Sequence, residues 1–220
     1  MTRGILIAGN DSVLLSAIEA EAAKRAEFYA AAPIYNRFPG VEPQPAVDAP
    51  ARILLDWNPG SPVSARTLVL AAENRLELIS DAILVCSPPQ IRGAPLSDLN
   101  FADVEILVND HIKGWFFLVK ELAAVFKAKG EGTLSLVYPD VNETPSEEEA
   151  AGLLGHSALA VFRTLARSLL ASAFNEPFIT LGFTGAEEPG FAAFIFKQLE
   201  EKNRRANGKL HKYGKLSFFK

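Results

Sequence analysis

Short apolar runs alternate with longer stretches of helical periodicity along the whole chain. Residues 4–8 (GILIA) form the first run and predict a buried parallel strand. Gly9-Asn10-Asp11 turns the chain, and residues 12–26 carry helical periodicity. Residues 27–34 hold a second strand, and 36–50 (NRFPGVEPQPAVDAP), with four prolines between Pro39 and Pro50, read as an extended loop. The alternation then continues with strand 51–57, helix 64–79, strand 81–86, a long helix within 100–129 and strand 132–137. A second long helix spans 146–174, followed by strand 178–184, helix 191–205 and a closing strand in 209–219. Asn207-Gly208 suits the end of the last helix. Strands alternating with helices in this way predict an α/β fold, a Rossmann-like doubly wound and mainly parallel sheet of about seven strands.

The helix at 146–174 organises the rest. Ser146 and Glu149 form a capping box, and three acidic residues in the first turn complement the helix dipole. From Ala150 onward the helix is apolar on most sides, which predicts burial between the sheet and another layer.

Composition narrows the class. A chain of 220 residues that is 49% hydrophobic can bury one full core, so residues 1–220 are expected to make a single domain. A net charge of −4 gives nucleic acid no electrostatic footing, although eight of the 22 basic residues gather from Lys197 onward. One cysteine, Cys86, excludes an internal disulfide framework, and no apolar run of membrane-spanning length stands out in the sequence. The N-terminal MTRGILIAGNDS is too short in its apolar part for a signal peptide, so a cytoplasmic location is expected. Phosphate-loop, nucleophile-elbow and zinc-protease motifs are all absent, and three scattered histidines make no metal site.

Several segments together resemble the short-chain dehydrogenase/reductase family. Ala166-Arg167-Ser168-Leu169-Leu170 is similar to the segment that follows that family's Tyr-x-x-x-Lys helix motif. Leu55-Asp56-Trp57 resembles its Leu-Asp-Val, Gly132–Val137 (GTLSLV) its Gly-x-Ile-Val-x-Ile-Ser-Ser, and VNDHIKGWFFLVKEL its Val-Asn-x-x-Gly-x-Phe. The resemblance covers nearly the whole chain by order and spacing, while the specific motifs are altered. Gly155 and Leu159 stand in the Tyr and Lys slots, and Tyr138 or Pro139 in the Ser slot. His111, or Asn109 with a two-residue slip, takes the place of the active-site Asn, and Val85-Cys86-Ser87-Pro88 replaces Asn-Asn-Ala-Gly. In the glycine-rich phosphate turn only Ala8-Gly9 match, with Val13 and Leu15 where later glycines belong.

The resemblance implies a cofactor cleft lined by Gly9, Asn10, Ser12, Asp56, Trp57, Cys86 and Ser87, with Asp56 at the adenine ring. Val13, Leu15 and the carboxylate of Asp11 are expected to obstruct a pyrophosphate, so NAD(P) binding is expected to be weak or absent. The alternative reading of Asp11 and Ser12 is a plain helix cap. Candidate catalytic groups are Tyr138, His156 and His111, and no metal is expected. Three functional readings follow: a non-catalytic structural, binding or partner protein; an NAD(P)-dependent oxidoreductase with atypical residues; and a ligand sensor. The family's habit of pairing through two long helices implies a homodimer, or a heterodimer with an intact relative, through 103–128 and 147–173.

Overall fold

The computed structural model describes residues 3–10, 12–35, 51–89, 100–140, 153–186, 189–201 and 204–214. Seven parallel strands form one sheet in the order β3-β2-β1-β4-β5-β6-β7. They are β1 (Ile5–Asn10), β2 (Tyr29–Ile34), β3 (Arg52–Leu54), β4 (Asp81–Val85), β5 (Thr133–Pro139), β6 (Ile179–Gly185) and β7 (Leu210–Tyr213). The chain walks outward from β1 to β3 and returns to place β4 on the other side of β1. This reversal opens a crevice at the C-terminal ends of β1 and β4, the place where doubly wound folds hold ligands.

Helices α1 (Val13–Ala23) and α6 (Pro189–Glu200) cover one face, where Ile5, Ile7, Ile83, Val85, Val137 and Phe183 meet Ile18, Ile195 and Phe196. The other face is covered by α2 (Pro62–Leu76), α4 (Gly114–Lys129) and α5 (Leu153–Ser172), which enclose Leu84, Leu136, Trp115, Leu122 and Phe162. Strand alternation assigns the two sets, since successive side chains point to opposite faces. Ser12 caps α1 by accepting from Leu15 N at 3.1 Å, as the capping alternative requires, whereas Asp11 lies outside the described residues. The Ser146/Glu149 capping box also lies outside them.

Three sequence expectations need correction. The third strand is only Arg52–Leu54, so Asp56 and Trp57 stand on the loop that follows it. The helix expected within 100–129 is continuous but not uniform: α3 (Phe101–Ile106) passes through a π-helical stretch, Leu107–Lys113, into α4. A π-helical stretch is a local irregularity that frequently marks a functional site. Finally, Leu154–Asn175 has the length and mean hydropathy (22 residues, 1.2) of a membrane span, although a third of its apolar window is buried. It packs on β5, β6 and the π-helical stretch, as a layer helix does. The other element ends move by a few residues, and residues 215–219 of the expected last strand lie outside the described set.

Candidate functional site

β1 ends on Asn10, which points to the α4/α5 face and is 3% exposed. Its Nδ2 lies 2.5 Å from His111 Nδ1, a buried contact across 101 residues of sequence. With the amide donating, Nδ1 is the acceptor and the imidazole carries its proton on Nε2. The π-helical stretch turns both Asp110 and His111 inward, leaving them 1% and 2% exposed. Asn109, the other position considered for the active-site Asn, instead accepts from Lys113 Nζ at 3.0 Å and lies against Gly60.

Beside this pair, Ser87 Oγ donates to Ser12 Oγ at 3.2 Å, joining the ends of β4 and β1 across the crevice. Two polar contacts, Asn10–His111 and Ser12–Ser87, thus stand at the C-terminal ends of β1 and β4. Around Gly9 the backbones are close: a Cβ there would come within 2.7 Å of Val85 O and 2.9 Å of Leu15 Cδ1. Leu15 is thus a core residue beneath the turn, 3% exposed, whereas Val13 at the start of α1 is 59% exposed. Asp56 is exposed and Trp57 half-buried against the core, both just past the C-terminal end of β3, two strands from β1 in the same parallel sheet.

The remaining candidates sit around α5. Cys86 and Tyr138 follow Val85 and Val137 in their ladder and face the same way as Asn10. Burial pushes the Cys86 thiol well above its usual range, with Arg163 opposing weakly, which makes it a packing residue and not a thiolate. Burial also raises the Tyr138 phenol, against the pull of the Arg167 and Arg163 charges, with Asp140 adding to the rise. Tyr138 is therefore a neutral phenol at neutral pH. Arg163 was not singled out in the sequence. Its guanidinium lies 5.6 Å from the Tyr138 ring centroid, and its Nη2 donates to Pro139 O at 3.0 Å. Two arginines four apart on an otherwise apolar helix were the available signal.

Gly155 is buried where α5 meets the turn after β4. A Cβ at this position would lie 2.9 Å from Pro89 O, so the helix backbone packs directly on the Pro88-Pro89 turn. His156, the next residue, is half-buried. The structure thus pairs Asn10 with His111 and Ser12 with Ser87, holds Tyr138 and Cys86 in the core near Arg163, and sets Asp56 and Trp57 on the loop after β3. Among the described residues no three His, Cys, Asp or Glu side chains come together as metal ligands would.

No protein-family model matches the chain, and no curated protein matches it in sequence. Solved structures do match over nearly its full length. A serine dehydrogenase from Escherichia coli aligns with a TM-score of 0.67 at 9% identity, covering 96% of each chain. A short-chain dehydrogenase from Mycobacterium smegmatis gives 0.67 at 11%, covering 98% of this chain and 93% of that one. An NADH-dependent reductase complexed with NAD gives 0.65 at 14%, covering 96% and 95%. The fold is that of the short-chain dehydrogenases/reductases.

Proposed function

We propose that this chain is a short-chain dehydrogenase/reductase-like protein that does not transfer hydride and serves as a binding or partner protein. The observation that carries the reading is at Gly155. Hydride transfer in this fold calls for an acid on α5 beside a cation, and position 155 holds no side chain and has Pro89 O only 2.9 Å from where a Cβ would stand. The phosphate end of the cleft supports the same reading, because Leu15 fills the space under Gly9 and the Ser12 hydroxyl takes a free N–H of α1. Cofactor binding is then weak or absent. The direct test is titration of NADH and NADPH, followed by their fluorescence, together with turnover assays on alcohols, ketones and 3-oxoacyl substrates. Low-micromolar binding, or turnover abolished by substituting Tyr138 or His156, would overturn the reading.

The buried Asn10–His111 contact favours one alternative, an oxidoreductase with atypical residues in which His111 carries the proton. Turnover lost on His111→Gln, with the fold intact, would select it.

Assembly as a dimer through α4 and α5 belongs to the proposal. Phe116, Ala160, Val161, Thr164, Leu165 and Ser168 line an apolar groove on the outer side of these helices. Phe116 is 48% exposed there, whereas Phe117 is half-buried, so Phe116 is the better probe of the contact. A two-fold arrangement would cover this surface on both copies at once.

A further inference from the structure

A second cavity lies at the opposite end of the sheet, under the N-terminal ends of β4, β5 and β6. Its volume is about 360 Å³, within the range of small-molecule sites. Four of the nearby backbone donors are already spent: Ser80 N and Asp81 N on Gly4 O, Thr133 N on Ser80 O and Ile179 N on Gly132 O.

Arg3 forms one wall. Its Nε donates to Asp81 Oδ2 at 2.5 Å, and the Asp81 side chain is only 3% exposed, so the guanidinium is fixed in place and its charge balanced. Arg3 Nη2 is buried and has no hydrogen-bond partner. Arg3 nevertheless lines the cavity and its side chain is 21% exposed, so the part of the guanidinium not engaged with Asp81 can take an anionic acceptor. Arg204 and Glu131 stand at the rim, both exposed, and neither has an ion pair among the described residues. The unspent charges are thus one positive and one negative, which suits a neutral ligand carrying both signs. Phe178, Ile79 and Pro177 supply an apolar wall between the charged groups.

We propose that this cavity binds a free α-amino acid with an apolar side chain, its carboxylate on Arg3 and Arg204, its ammonium on Glu131 and its side chain on Phe178. Ser80 and Thr133 hydroxyls border the same space and can share the carboxylate. The site lies at the far end of the strands from Asn10 and His111, so it stands or falls separately from the loss of hydride transfer.

Isothermal titration of the full chain with L-phenylalanine and L-leucine tests the assignment, with 3-phenylpropionate and phenethylamine as half-ligands. One amino acid at least should bind saturably, and each half-ligand about ten-fold or more weakly, since each lacks one charge-assisted contact. Arg204→Gln and Glu131→Gln change exposed residues and should each weaken binding about five- to ten-fold. Arg3→Lys keeps a cation opposite Asp81 while removing Nη2, and should weaken it about ten-fold, with melting curves reporting that each variant folds. Lys24→Gln, on α1, should leave affinity unchanged. Absence of saturable binding for both amino acids up to about 10 mM, roughly ten times a millimolar Kd, overturns the proposal. So does a half-ligand that binds as tightly as the amino acid, or unchanged affinity in all three cavity variants.

Discussion

Replacing Arg52 with Met should destabilise the protein by about 3–5 kcal/mol, because it takes the paired cation away from a buried carboxylate. Glu19 on α1 is 1% exposed and is paired with Arg52 on β3. Arg52 Nη2 donates to Glu19 Oε1 at 3.2 Å, Nε lies 2.7 Å from Oε2, and the two side chains are 11% and 2% exposed. Tyr29 lies alongside on β2; burial, and then the Glu19 charge, push its phenol up to about 12, so it stays protonated and adds no second negative charge. The pair joins α1 to the short edge strand, a place where apolar packing is thin. At about 2–4 °C per kcal/mol for a chain of this size, the melting temperature should fall by roughly 6–20 °C. Urea unfolding followed by tryptophan fluorescence gives the free energy, and an unchanged m value verifies that the transition remains the same. The double variant Arg52→Met/Glu19→Leu should recover most of the loss, since removing both charges removes the desolvation cost as well. Lys24→Gln, which breaks only an exposed pair with Glu21, should stay within about 0.5 kcal/mol. A loss below about 1 kcal/mol for Arg52→Met, or no recovery in the double variant, would refute the reasoning.

Other outcomes follow from the same packing. Gly155→Ala should cost about 1–3 kcal/mol in urea unfolding, because the new Cβ meets Pro89 O at 2.9 Å and backbone must move. For the same reason Gly155→Tyr with Leu159→Lys should not create NAD(P)-dependent turnover; measurable hydride transfer by that pair would contradict the proposed function. Phe116→Arg and Leu165→Arg should shift sedimentation from dimer to monomer or aggregate, and a well-behaved wild-type monomer at micromolar concentration would end the dimer reading. His211 stacks on Phe183 at 5.3 Å; burial and then Lys209 lower its pKa below the usual 6.5, with Glu201 opposing. The unfolded chain therefore takes up the proton first, so this contribution is present above pH 6.5 and is lost as pH falls through the folded value. His211→Phe should flatten that part of the stability–pH curve, and an unchanged curve would count against it.

Much of the fold was legible in the sequence because a parallel sheet buried on both faces writes its strands as apolar runs. GILIA at 4–8, DAILVC at 81–86 and FITLGFT at 178–184 locate three inner strands of the sheet, and the helical periods between them require crossovers. Ser12 is legible as a cap because the bond it makes is local. The site was less so. Asn10 and His111 are 101 positions apart, and no local pattern announces a contact that a π-helical stretch creates by turning two adjacent polar residues inward. Asp56 resembles a cofactor residue in sequence, and only the structure shows that it stands exposed on the loop two residues past β3. The arginines of α5 read as interruptions of an apolar helix; only packing on β5 puts the Arg163 cation over Tyr138 and lets burial outweigh it. Gly155 shows the division most clearly. The sequence states that a side chain is missing there, but only tertiary structure shows that the Pro89 carbonyl packs 2.9 Å from where its Cβ would stand, since which backbone approaches a glycine is set by distant packing.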